Sequence, residues 1–169
     1  LKMYKSDNKL QSSFLDFNQP MGLHMNPENR WIKMADMIPW DVFEKKYKHL
    51  FKSKTGNVAK PLRMALGALI IQTRFQYSDR ELVQQITENP YLQYFIGLPG
   101  YQETPPFDAS TLVLFRKRIN ARMLMEANEY LLEANKPDKK EDDNDDQTHL
   151  PIMEPAIQTN QRSRKTKAL

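Results

Sequence analysis

Between Asp108 and Arg118 the chain reads Asp-Ala-Ser-Thr-Leu-Val-Leu-Phe-Arg-Lys-Arg, two adjacent hydroxyls followed within two turns by three consecutive cations. On a helix that order suits a polyanion: the first-turn residues approach base edges, while nearby cations and backbone N–H groups hold phosphates. Other chemistries find little to work with. The sequence has no cysteine, which removes disulfides, thiolate metal sites and a cysteine nucleophile. His24, His49 and His149 are too scattered to suggest ligands or a general base, and the five glycines stand singly, so no phosphate-cradling loop exists. Asp142, Asp143, Asp145 and Asp146 crowd together, but in a run with nothing to fix their geometry around a cation. The sequence therefore predicts no catalytic residue, no metal site and no cofactor.

The elements that must position the Asp108–Arg118 stretch are helical. Trp31, Ile32, Met34, Ala35 and Ile38 fit one face of a short helix that stops before Pro39. A second helix is expected from Trp40 to Phe51, with Val42, Phe43, Tyr47, Leu50 and Phe51 buried and Lys45, Lys46 and Lys48 outside. Pro61 stands where a first-turn proline belongs and opens the most apolar segment of the chain, Leu62 to Ile71, which reads as a central core helix. Ser78 with Glu81 three residues later is a capping box, and its helix ends near Asn89. Pro90 opens another short segment, Tyr91 to Ile96, closed by Gly97. The loop from Leu98 to Phe107 carries four Pro or Gly residues and is neither helix nor central strand. Asp108 then reads as the N-cap of one long amphipathic helix to about Asn135, with Leu112, Phe115, Ile119, Met123, Ala127 and Tyr130 as its seam. No repeat and no convincing strand appears, so the expected class is all-α, with a helix-turn-helix-like element.

Within that last helix, a rotation of about 100° per residue sorts the polar side chains. Ser110, Leu114, Lys117 and Ala121 fall on the side away from Leu112. Arg118 lies about 120° from the seam and Arg116 only about 40°, so Arg116 is expected to pair with a carboxylate such as Asp79 or Glu81. The DNA-contacting set is then Ser110, Thr111, Leu114, Lys117 and Arg118, with Leu114 meeting thymine methyl groups. The same residues also fit a solvated helix face. Val113, Leu114 and Met125 fit a second helix equally well, which leaves open a helical protein-protein module, a homodimer.

Length and charge set the frame. The 169 residues, 40% hydrophobic, fill one ordinary core, and the mean hydropathy of −0.72 implies that part of the length stays outside it. The net charge of +4 is unevenly spread. Residues 1–137 hold 19 Lys and Arg against 14 Asp and Glu, residues 138–154 hold 2 against 7, and residues 155–169 hold 4 against none. The expected organisation is an irregular lead-in over 1–28 with at most one anchored turn, a helical domain over 29–136, and a disordered acidic then basic tail over 137–169. With no long apolar run and no signal-peptide pattern, a cytoplasmic protein without membrane contact is expected.

Six blocks of the sequence then form a pattern. Ile38-Pro39-Trp40-Asp41, Pro61-Leu62-Arg63-Met64, Tyr77-Ser78-Asp79-Arg80-Glu81-Leu82-Val83, Asn89-Pro90-Tyr91-Leu92-Gln93-Tyr94-Phe95-Ile96-Gly97-Leu98, Phe107-Asp108-Ala109-Ser110-Thr111-Leu112 and Phe115-Arg116-Lys117-Arg118 stand in this order across residues 28–125. Together they resemble the N-terminal domain of InsH-type insertion-sequence transposases. The resemblance implies a helical domain that binds the terminal inverted repeats of a mobile element. It also implies a polar linker to an RNase H-like domain in which three acidic residues hold divalent metal ions for strand cleavage and transfer. Where the first catalytic strand is expected, this sequence has the acidic run and basic tail. No catalytic residue carries over, and the expectation is a non-enzymatic, truncated product.

Overall fold

The computed structural model describes residue 4 and residues 13–51 and 58–133. A 3-10 turn, Phe14–Asp16, precedes seven α-helices among the described residues: α1 (Arg30–Met37), α2 (Trp40–Lys48), α3 (Leu62–Phe75), α4 (Asp79–Glu88), α5 (Pro90–Phe95), α6 (Thr111–Arg118) and α7 (Ala121–Glu133). No strand occurs among the described residues, so the class is all-α. One isolated bridge joins Asn18 to Gly100. No helix among them is long and apolar enough to cross a membrane. The tail expected to be disordered, and residues 52–57, lie outside the described residues.

Helix α3 is the centre. Its first ten residues, Leu62 to Ile71, are all buried, and α2, α4, α5, α6 and α7 all pack on it. Helices begin where short polar side chains satisfy first-turn N–H groups. Asn29 Oδ1 accepts from Trp31 N at 2.9 Å, and Ser78 Oγ accepts from Glu81 N at 3.2 Å. Asn89 Oδ1 does the same for Tyr91 N at 2.9 Å, ahead of a proline at the first position of α5. Pro61 sits one residue before α3 rather than inside it. The Glu81 carboxylate accepts from Gln85 Nε2 at 2.8 Å.

Two buried polar side chains hold the loops in place. Arg63, 5% exposed on the apolar α3, donates from Nε to Phe95 O at 3.0 Å and from Nη2 to Tyr94 O at 2.8 Å, capping the last carbonyls of α5. The chain leaves α5 through Gly97 at φ 83°, where an added Cβ would lie 2.8 Å from Arg63 Cδ. Gln93 is fully buried and ties the end of α4 to the loop after α5, donating to Thr87 O and Gln102 O and accepting from Gln102 N. The stretch before α1 joins the same core through Tyr4, Phe17 and Met25. Asn18 pairs with Pro99 O and Tyr101 N through its backbone, and Asn26 N donates to Tyr91 Oη at 2.8 Å.

Two expectations need correction. Helix α2 ends at Lys48, not Phe51, and buries Trp40, Phe43, Glu44 and Tyr47, while Val42 and Leu50 are exposed. The buried set follows i, i+3, i+4, i+7 from Trp40. Glu44 occupies a position on that face, so apolarity alone pointed to the wrong residues. The expected long helix from Asp108 is two helices. Ile119 adopts extended backbone (φ −95°, ψ 105°), and Asn120 restarts the helix by accepting from Met123 N through Oδ1 at 2.9 Å. Asparagine competes with the backbone in helix interiors and favours caps.

Candidate nucleic-acid interface

Helix α6 starts with a tight turn. Asp108 Oδ1 accepts from Ser110 N at 2.8 Å, Thr111 N donates to Asp108 O at 2.9 Å, and Val113 N donates to Ser110 O at 3.2 Å. Asp108 thus caps the turn ahead of α6; the residue immediately before the helix is Ser110, whose side chain makes no cap bond. The Ser110 hydroxyl and then its N–H hold the Asp108 carboxyl below the usual carboxylate range. Leu112 and Phe115 anchor α6 to the core, with Phe115 edge-on to Phe107 at 5.2 Å between ring centres.

The cations of α6 have three different settings. Arg116 makes a two-pronged pair with Asp79 (Nη1 to Oδ1 at 2.8 Å, Nη2 to Oδ2 at 2.7 Å) and reaches Gln72 Oε1 at 3.2 Å. Gln72 Nε2 in turn donates to Asp79 Oδ1 at 2.7 Å. This network joins the end of α3, the start of α4 and α6. It holds the Asp79 carboxyl below its ordinary value, chiefly through the hydrogen bond from Arg116, and pushes the Arg116 guanidinium up. The pairing expected for Arg116 is therefore present with Asp79. Arg118 is half-buried, its guanidinium 5.0 Å from the centre of the Phe51 ring and beside the Tyr47 hydroxyl. Burial pushes Tyr47 up, and Arg118 partly offsets that. Near it the Glu44 carboxylate, 2% exposed, has no hydrogen-bond partner among the described residues. Tyr4 is pushed far up, first by burial and next by Glu44.

Lys117 is the third setting. It is exposed and makes no ion pair among the described residues. On the 3.6-residue repeat it shares the outward side of α6 with Ser110 and Leu114. Ser110 is exposed and Leu114 is 46% exposed, with Val113 alongside at 45%. Of the five residues singled out from sequence, the structure brings Ser110, Leu114 and Lys117 onto one surface. Thr111 is half-buried at its flank, and Arg118 is turned to Phe51. Sequence reasoning passed over Arg80, exposed in the first turn of α4 and close enough to Asp108 to lower its carboxyl. The available signal was its position beside Asp79 in the Tyr77–Val83 block. Helix α6 is not reached from α4 by a short turn, because α5 and the loop to Ser110 intervene.

Residues 22–118 match the family Transposase domain (DUF772), and the chain belongs to that family. The match ends at Arg118, the last residue of α6. Among curated proteins, the "Uncharacterized protein ORF8 in nfe locus" of Rhizobium meliloti is 31% identical over 118 residues, covering 70% of this chain and 56% of that protein. The chain thus spans little more than half the length of that relative. No solved structure matches. Membership of a transposase-domain family associates the chain with transposition.

Proposed function

We propose that this helical domain is the sequence-specific DNA-binding part of an InsH-type transposase and engages the terminal inverted repeats of a mobile element through the outward face of α6. The observation that carries the reading is the division of labour among the α6 cations. Arg116 is committed to Asp79 and Gln72, and Arg118 to the ring of Phe51, so the helix is held at both sides while Lys117, Ser110 and Leu114 remain uncovered. Lys117 supplies a phosphate contact, Ser110 and Thr111 a first-turn approach to base edges, and Leu114 an apolar contact for thymine methyl groups. Arg80 adds positive charge beside the start of α6 and offsets Asp108. The helix-turn-helix-like docking belongs to this proposal. Binding rather than cutting is the work proposed for these residues, and none is assigned a role in strand cleavage.

The test is selection from a random-sequence duplex library with the purified chain. Enrichment of one motif, related to the ends of a mobile element, is the expected result. The alternative, a helical protein-protein module using Val113, Leu114 and Met125, predicts no enrichment and a salt-insensitive oligomer that a Leu114 substitution dissolves.

A further inference from the structure

Helix α7 presents a second pattern that uses neither Ser110 nor Lys117. Met123, Ala127 and Leu131 turn into the core, and the side opposite them carries Arg122, Met125, Glu129 and Leu132 at steps of three, four and three residues. Met125 is 63% and Leu132 68% exposed. Positions furthest from the core of a surface helix are ordinarily polar, and alternating three- and four-residue steps are those of a helix-packing seam. Arg122 also borders a groove lined by Lys46, Leu50, Asn120 and Glu126, in which Leu50 is 49% exposed.

The charges name the partner. Arg122 and Glu129 are opposite in sign and seven residues, about two turns, apart. A two-fold axis crossing α7 between residues 125 and 126 sets Arg122 of each copy against Glu129 of the other and brings the two Met125 side chains together, with Leu132 at the edge of the overlap, opposite residue 119 of the other copy. A parallel pairing would instead place Arg122 on Arg122 and Glu129 on Glu129. Glu126, next to the axis, is already paired with Lys46 of its own chain, so the antiparallel arrangement meets no uncompensated like charge there. We propose that α7 pairs antiparallel with α7 of a second copy of this chain. A 13-residue helix is about 20 Å long, so the contact falls below the roughly 1,200 Å² of a standard interface and gives a reversible, concentration-dependent dimer.

The absence of cysteine makes the register directly testable. In the 169-residue chain without DNA, a single Met125→Cys lies within disulfide reach of its copy, whereas Leu132→Cys lies about 20 Å from its copy along the helix pair. Mild oxidation should therefore cross-link Met125→Cys efficiently and Leu132→Cys at least tenfold less. By sedimentation equilibrium the unmodified chain should pass from monomer to dimer with concentration. Arg122→Glu and Glu129→Arg alone should each weaken the dimer at least tenfold, and the two together should restore it. Circular dichroism should be unchanged in all of them, since these side chains are outside the core. A chain that stays monomeric up to about millimolar concentration overturns the proposal. So do equal cross-linking at both cysteines and a double charge swap that does not recover the dimer. Loss of DNA selection with the dimer intact would instead count against the α6 reading alone.

Discussion

Helices α3 and α6 pack against each other and use their side chains in opposite ways. In α3 ten consecutive residues are buried, including an arginine whose guanidinium binds two carbonyls of α5 and stacks between Trp40 and Tyr94. In α6 only Leu112 and Phe115 are buried, and the rest of the helix is held by polar contacts or left to solvent. A cation in α3 is therefore structure, and a cation in α6 is structure only where a partner claims it. Residue type does not separate the two roles; the partner does.

The comparison breaks first where burial is greatest. Phe115→Ala removes a fully buried ring from the seam between α6 and the core and should destabilise the domain by about 3–5 kcal/mol in urea unfolding. Arg63→Ala should cost about as much, because it leaves a hole and removes the guanidinium donor from Phe95 O and from Tyr94 O, which keeps Gly97 N. If Arg63→Ala proved as mild as a surface change, the contrast between the two helices would fail.

Smaller effects sharpen it. Ser110→Ala and Thr111→Ala should leave unfolding nearly unchanged and reduce discrimination between the selected duplex and random duplex by about 1–3 kcal/mol for each base contact removed, read by competition binding. Arg116→Ala should do the reverse, lowering stability by about 1 kcal/mol or less because the pair with Asp79 is partly screened by solvent. Asp79 has a folded pKa below its unfolded value, so its contribution is present above about pH 4, the ordinary carboxylate value, and is lost as pH falls through the depressed folded value. The stabilities of the wild type and Asp79→Asn should converge on acidification, which a series of unfolding curves from pH 7 to pH 2 would show. A gap that persists at the acid end would put the stabilisation elsewhere.

Much of this was readable from residue types. Ser78 begins a helix because its short side chain caps an N–H group, Gly97 ends α5 at a positive φ, and the apolar run after Pro61 is the central helix, whereas the caps made by Asn29 and Asn89 emerged only from the structure. The break at Ile119 was not readable from periodicity, because four-residue steps continue across it from Phe115 through Ile119 to Met123 and only the capping role of Asn120 interrupts them. The fate of Arg118 was equally hidden. A helical wheel sees one helix at a time, and the ring that receives its guanidinium belongs to Phe51, after the end of α2. Arg116 was legible because an uncompensated cation near a buried seam needs a carboxylate, and Asp79 was available. Arg118→Ala should accordingly lower stability by about 0.5–1 kcal/mol by removing the stacking on Phe51, where Lys117→Ala should not.

The most direct test of the account is a salt titration of duplex binding by the wild type and Lys117→Ala. The account predicts that the logarithm of the binding constant falls linearly with the logarithm of salt, and that Lys117→Ala weakens binding to selected and random duplex alike. Its slope should be shallower by about one unit, because one phosphate no longer has a cation against it, with an unfolding curve superimposable on the wild type. Binding that is unchanged by Lys117→Ala, with the same salt slope, would contradict it.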